Sequence, residues 1–329
     1  MCTHGGFHLT KFVCNRRSVT QTLPAEECSS KLATQDLAMG EYNILIERAL
    51  GVQWCVESDV LGFHITVTNK PPTRRGILST VASIYDPLGI VAPFTMPAKR
   101  ILQSLCKTTN LGWDDEIPNG EKLQWEKWII QLPLLESITV NRCYKPPGFG
   151  DITSEQVHVF SDASTTGYGS SAYLHLVDDQ GHIHCAFLFG KSRLAPIKAT
   201  TVPRLELTAA TVSVRISHMI KKELEVDQAS MIYHTDSTTV LRYIFNEQRR
   251  FKVFVTNRVQ LIRECSNPTQ WRFVPTSINP ADDASRGVDA TTLTEEQQRW
   301  LVGPAFLWKG EKEWPSQPTT YCQLQDPRR

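Results

Sequence analysis

Two hydrophobic spacings organise the chain, and they change near its middle. In the second half, Val157-His-Val-Phe-Ser-Asp162 is a short, mostly apolar run of the kind a central strand shows. Tyr168–Leu176 and His182–Phe189 read as two further strands, joined by the turn residues Asp178-Asp-Gln-Gly181. A long helix follows from Thr201-Val-Pro203, with Leu205, Ala209, Val212, Ile216, Met219 and Ile220 recurring at the helical period. Ser230–Thr235 is a fourth strand, and Ser237 can cap a helix carrying Val240, Tyr243 and Ile244. Gln270–Val274 is a fifth strand, followed by a loop and a short helix. The order is β-β-β-α-β-α-(α)-β-α, which places this half in the α/β class.

The first half is mixed. Gly6–Val13 reads as a strand, and residues 49–68 read as a hairpin around Glu57-Ser-Asp59. Thr73 caps a short helix with Ile77, Leu78, Val81 and Ile84 apolar, stopped by Pro87. A second helix is expected from Pro97 to Lys107, and a third around Trp125 and Trp128, whose rings, like that of Trp113, read as packing. Lys145-Pro-Pro-Gly-Phe-Gly-Asp151 punctuates the chain as a boundary. After about Gly287 the periodicity fades into a polar, Trp-bearing tail.

Composition narrows the class. A chain of 329 residues has room for two domains and a proper core. Lys and Arg number 35 against 34 Asp and Glu, so the chain as a whole is not a polybasic coat. No apolar run approaches the ~18 residues a bilayer crossing needs, and the N-terminus lacks a secretory pattern. The nine scattered cysteines never form C-x-x-C and read as reduced thiols of an intracellular protein. His182 and His184 share one face of their strand without a further ligand pair, which fits a half-exposed strand better than zinc.

Carboxylates fall at special places in this order. Asp162 ends the first strand of the second half, Glu206 lies near the start of the long helix, and Asp236 sits where the fourth strand passes into its helix. Asp282, with Asp283 beside it, opens the last helix. One such residue alone is usually a turn former or a cap. If the first and fourth strands are neighbours, Asp162 and Asp236 lie side by side at the strand ends where ligands collect in open α/β sheets, within reach of Glu206. Clustered carboxylates repel unless a cation is present, and hard divalent ions prefer oxygen ligands. Two such ions about 4 Å apart suit in-line phosphodiester cleavage.

The segments Phe160-Ser-Asp-Ala-Ser164, Arg204-Leu-Glu-Leu207, His234-Thr-Asp-Ser237 and Asn279-Pro-Ala-Asp282 resemble, in the family's order, the ribonuclease H domain of retroelement polyproteins. Ala49-Leu-Gly-Val-Gln-Trp54, Ile77 through Gly89, Leu111-Gly-Trp-Asp114 and the tail from Trp300 to Pro315 resemble the BEL/Pao group of LTR retrotransposons. The resemblance implies an RNase H-like fold over 155–288, a mixed five-stranded sheet flanked by helices. It implies the end of a reverse transcriptase palm over 1–70, helical thumb and connection over 71–144, a linker at 145–154, and a tail over 289–329 leading toward an integrase. It further implies two Mg²⁺ ions, with Mn²⁺ an alternative, held by the catalytic carboxylates Asp162, Glu206, Asp236 and Asp282. Its substrate would be the RNA strand of an RNA–DNA hybrid, and its partners the palm and integrase of a parent Pol polyprotein, in the cytoplasm, a virus-like particle or the nucleus, without a membrane.

The sequence departs from relatives in one respect: no histidine lies between Asp236 and Asp282, where many carry a catalytic one. The Asp-Asp pairs at 114–115, 178–179 and 282–283 lack the aromatic residue of a polymerase motif, so the resemblance places the polymerase site upstream of Met1. Part of the region goes by the name of a Pao retrotransposon peptidase, but the nearest aspartic-peptidase pattern, Asp236-Ser-Thr238, has Thr in place of the required Gly. Two other readings are therefore a nucleic-acid-binding remnant without turnover and a peptidase. Arg249, Arg250, Lys252, Arg258 and Arg263, interleaved with Phe251 and Phe254, form the best candidate for nucleic-acid contact. Arg74 and Arg75 read more readily as a solvated helix start.

Overall fold

The computed structural model describes residues 6, 8–29, 46–49, 52–66, 70–246, 250–296 and 298–318. They divide into two compact units, Met1–His64 with Glu136–Cys143, and Ile65–Leu135 with Tyr144–Arg329. The first carries a one-turn helix, α1 (Arg17–Thr20), and an antiparallel sheet in the order β1 (Ile46–Ala49), β2 (Val52–Cys55), β3 (Val60–Gly62) and β4 (Thr139–Asn141). The expected hairpin is β2–β3. Asp59 in its turn adopts a positive φ and accepts hydrogen bonds from Trp54 Nε1 at 2.9 Å and Arg142 Nε at 2.6 Å. Of the strand expected over 6–13, the described residues show a single bridge, Phe12 to Cys28.

The second unit is built on a five-stranded sheet in the order β7-β6-β5-β8-β9. Here β5 is Ile152–Ala163, β6 Gly167–Asp178, β7 Ile183–Leu194, β8 Met231–Thr235 and β9 Trp271–Phe273. The first three form an antiparallel meander; β8 and β9 join in parallel to β5. Alternation along β5 gives the sheet two apolar faces. Val157 and Val159, with Leu174, Met231 and Tyr233 from neighbouring strands, pack on α5 (Val202–Leu224) through Leu207, Ala210 and Val214. Helices α6 (Thr238–Phe245) and α7 (Val253–Cys265) close this side.

The opposite face carries His158, Phe160, Tyr173, His175, Phe187 and His234. The described residues beyond Pro280 lie across this face. Short helices α8 (Ala281–Arg286), α9 (Ala290–Leu293) and α10 (Arg299–Val302) are followed by a strap to residue 318. Trp300 is fully buried, and Tyr173 Oη donates to its carbonyl at 2.8 Å. Trp314 meets His158 and His175 edge-on, and Gln317 bonds both backbone polar groups of Phe273 on the edge strand β9. Under this cover His158 and His234 share a 3.0 Å hydrogen bond, and burial pushes both well below the usual histidine range, His234 to about 3.

The helices α2 (Arg74–Ser83), α3 (Ala92–Lys107) and α4 (Asn119–Ile129) pack with this sheet. Gly190 N donates to Leu88 O, Gln103 Nε2 to Ala195 O, and Trp300 Nε1 to Ile90 O. The chain changes unit close to the expected Pro/Gly boundary, at Tyr144, but residues 65–135 belong to the same unit as the chain beyond that boundary. Thr73 caps α2 as expected, accepting from Gly76 N. Helix α3 begins five residues before the expected Pro97. The Asp86 carboxylate accepts from Ile90 N and Val91 N at 2.8 Å and so starts the turn early. Pro97 sits inside the helix, and Val288 N donates at 3.4 Å to the carbonyl of Pro93, which a proline four residues on cannot serve. Trp125 and Trp128 are buried and stacked; Trp113 is 47 % exposed, under the Arg74 guanidinium.

Candidate active site

Parallel pairing of Ser161 with Thr235 brings the ends of β5 and β8 level, so Asp162 and Asp236 emerge as neighbours. Glu206, the fifth residue of α5, reaches the same place; its carboxylate accepts from the hydroxyl of Ser237, the residue after Asp236, at 2.6 Å. The fourth carboxylate arrives through local backbone chemistry. Asn279 is fully buried; its Nδ2 donates to Ser161 O and its Oδ1 accepts from Ala281 N, tying the start of α8 to the end of β5. Gly169, directly opposite Asp162 on β6, has no side chain because a Cβ there would collide with that of Ala284. Helix α8 therefore lies close on the sheet, and the Ser285 hydroxyl donates to Asp162 Oδ2.

Asp282 and Asp283 share Arg299, which is nearer Asp283, and differ in their other partners. Asp283 is buried and bound by Arg299 through Nη2 at 2.7 Å and Nε at 3.1 Å, and by Gln298 Nε2 at 3.2 Å, which anchors the strap. Asp282 takes Arg286 Nε at 2.5 Å on one oxygen and has Arg299 Nη2 3.5 Å from the other. The Arg286 cation feels not only Asp282 but also Asp162 and Asp236.

Burial, then Asp236, then Asp282 push the Asp162 carboxyl up to about 7, against the pull of the Ser285 hydrogen bond. Burial likewise raises Asp236 and Glu206; the charge of Glu206 raises Asp236 further, and that of Asp162 raises Glu206. The folded chain thus binds a proton at Asp162 that the unfolded chain loses near its ordinary 3.8. The stability that proton lends is complete below the lower value and is lost as pH rises through the higher one. We predict that, with a chelator present, melting temperature falls by roughly 5 °C between pH 5.5 and 8.0, and that Asp162→Asn removes most of this fall in a thermal-shift series.

The donor set suits a hard divalent cation: four carboxylates, no thiolate or imidazole, and a buried Asp236 Oδ1 with no hydrogen-bond partner. Each carboxylate is turned onto a hydroxyl or guanidinium donor. Among the described residues no three acidic, histidine or cysteine side chains already converge as a ligand set. That holds also for His182, which bonds Asp178, and for His184, which meets Phe149 and Trp308 edge-on.

The basic run divides by exposure and bonding. Arg250 and Lys252 are exposed; Arg249 lies outside the described residues. Arg258 stacks 3.5 Å over Phe254, and donates to the Phe254 carbonyl and to Thr208 Oγ1. Arg263 donates to the carbonyls of Ile244 and Asn246, closing the end of α6. Sequence reasoning missed Thr276, Ser285 and Arg286 beside the acids. Only Arg286, four residues after Asp282, carried a readable signal, the helical pairing of opposite charges.

A family model described as a Pao retrotransposon-like RNaseH-like domain matches residues 73–237, a span that holds Asp162, Glu206 and Asp236. RNase H1 of the archaeon Halobacterium salinarum is 16 % identical, covering 39 % of this chain and 93 % of its own, with a TM-score of 0.28. LC11-RNase H1 from a compost metagenome, solved with an RNA/DNA hybrid, is 17 % identical over 39 % of this chain and 93 % of its own, also at 0.28. A foamy viral protease-reverse transcriptase solved with double-stranded DNA is 12 % identical over 74 % of this chain and 40 % of its own, at 0.26. No curated protein matches. Because the matched span is half of the chain and takes in the helices from Thr73 onward together with strands β5 to β8, the chain belongs to the Pao retrotransposon-like RNaseH-like domain family.

Proposed function

We propose that this chain is a Pol fragment of a Pao-type retroelement whose RNase H-like unit hydrolyses the RNA strand of RNA–DNA hybrids with divalent metal. The reading is carried by one observation: Asp162 and Asp236 end adjacent parallel strands, with Glu206 tied to the residue after Asp236 through Ser237 and the helix of Asp282 tied to Asp162 through Ser285. Asp162, Asp236, Glu206 and Asp282 are the residues that would hold the metal. When bound, two Mg²⁺ ions supply the positive charge that activates water and stabilises the leaving oxygen in in-line phosphodiester cleavage. Asp162 and Asp236 hold the negative charge of the site at the strand ends, Glu206 adds to it from α5, and Asp282 closes it from α8. Arg286 pairs with Asp282 and holds it in place. No histidine lies in the loop before α8, so proton delivery to the leaving group does not fall to an imidazole of that loop.

On this reading residues 1–70 would be the end of a palm, and the polymerase chemistry would belong to the parent polyprotein, inside the cell. A peptidase fits less well: Asp236-Ser-Thr238 runs directly into α6, with Ser237 as its cap, and not into a glycine loop. The test is a hybrid labelled on either strand. RNA shortening in Mg²⁺ or Mn²⁺ with the DNA strand intact supports the reading; intact RNA with folded protein rejects it.

Exposed Arg250 and Lys252 are the residues best placed to meet phosphates. Replacing both by alanine should lower the slope of log affinity against log salt by about 2 without loss of melting temperature. Arg263→Ala should instead lower the melting temperature, because its partners are backbone carbonyls of the fold.

A further inference from the structure

We propose that the hydroxyls of Thr276, Ser237 and Ser285 are positioning residues, each holding one oxygen of a site carboxylate so that the other is presented to a shared cation. Thr276 is the decisive member. The inference rests on the metal-binding reading above and assigns work to residues that never touch the reacting atoms.

The three hydroxyls come from three different elements. Val274 N donates to Thr235 O, which carries the pairing of β9 with β8 one residue further and sets the 276–278 turn beside Asp236. From there Thr276 Oγ1 donates to Asp236 Oδ2 at 2.5 Å. The other oxygen, Asp236 Oδ1, is buried and has no partner. A buried carboxylate oxygen without a donor is costly, and the arrangement persists because Thr276 fixes its sister atom. Ser237 accepts from Val240 N as the cap of α6, so its single proton is left for Glu206 Oε2. Ser285 Oγ donates to Asp162 Oδ2 from α8. Each bond ties the tip of one carboxylate to a separate segment, and a hydroxyl does this without adding charge. Arginines in the same places would neutralise the acids and compete with a cation.

Groups that orient metal ligands from behind typically change metal affinity by about 10- to 100-fold when removed. Thr276 is exposed, so its loss opens no core. The experiment compares the whole chain with Thr276→Val, which keeps the shape and removes the hydroxyl, and Thr276→Ser, which keeps the hydroxyl. The readout is Mn²⁺ binding, followed by loss of the free-ion electron paramagnetic resonance signal, with melting temperature recorded alongside. The expected result is Mn²⁺ binding about tenfold weaker in Thr276→Val and within about twofold of the parent in Thr276→Ser, at unchanged melting temperature. Equal binding by all three proteins overturns the positioning role and leaves the metal site standing. Equal weakening in both variants overturns it too, since the hydroxyl would then not be what matters. A parent that binds no Mn²⁺ rejects the metal site itself, and the inference with it.

Discussion

Asp236→Asn is expected to leave a folded chain that cuts the RNA of a hybrid about 10³-fold more slowly than the parent, measured in single turnover with saturating Mg²⁺. The amide keeps the shape of the side chain and can still accept the Thr276 hydrogen bond. What it loses is the anionic charge beside Asp162. Charge stabilisation by bound metal is worth several kcal/mol in the transition state, and each 1.36 kcal/mol is a factor of ten. Folding should not suffer, because the substitution also relieves the repulsion that raises Asp162. Asp283→Asn is the matching control. Its partners are Arg299 and Gln298, so it should lower stability while the protein that remains folded still cleaves.

Trp300→Ala is expected to cost about 3–5 kcal/mol of stability, read as a shift in denaturant midpoint. That is a large part of the ~5–15 kcal/mol a domain commonly has. The indole is fully buried, packs 5.7 Å from the Phe187 ring and donates to Ile90 O at 2.8 Å. A Cβ on Gly190 would collide with it, so this strand position is glycine where the ring lies against the backbone. Removing the indole leaves a cavity and an unserved carbonyl, joining a transfer loss to a lost hydrogen bond. Trp314→Ala, at the half-buried end of the strap, should cost less.

The contrast between these two sites explains what could be read from the sequence. Asp162, Glu206 and Asp236 stand at boundaries between elements, and boundaries show where hydrophobic period changes from strand to helix. The alternation of β5 and the helical period of α5 depend on near neighbours, so both were legible. The strap was not. Trp300, Phe306 and Trp314 are separated by Gly and Pro with no period, and their burial depends on a sheet face assembled from residues far back in the chain, Phe160, Phe187 and His234 among them. The start of α3 was hidden because Pro97 looks like a helix opening, whereas the Asp86 carboxylate sets the turn earlier. In the basic run the sequence reports charge but not direction. Arg250 points to solvent, while Arg263 is committed to Ile244 and Asn246. The hydroxyls of Thr276 and Ser285 gave no signal, since isolated Ser and Thr are commonplace in loops and short helices.

The most direct test of the carboxylate site is anomalous diffraction from crystals soaked in Mn²⁺. Strong anomalous peaks bonded to oxygens of Asp162 and Asp236, with Glu206 or Asp282 completing the coordination, are the predicted result. Full-occupancy Mn²⁺ elsewhere, with no anomalous signal between the ends of β5 and β8, would contradict the account.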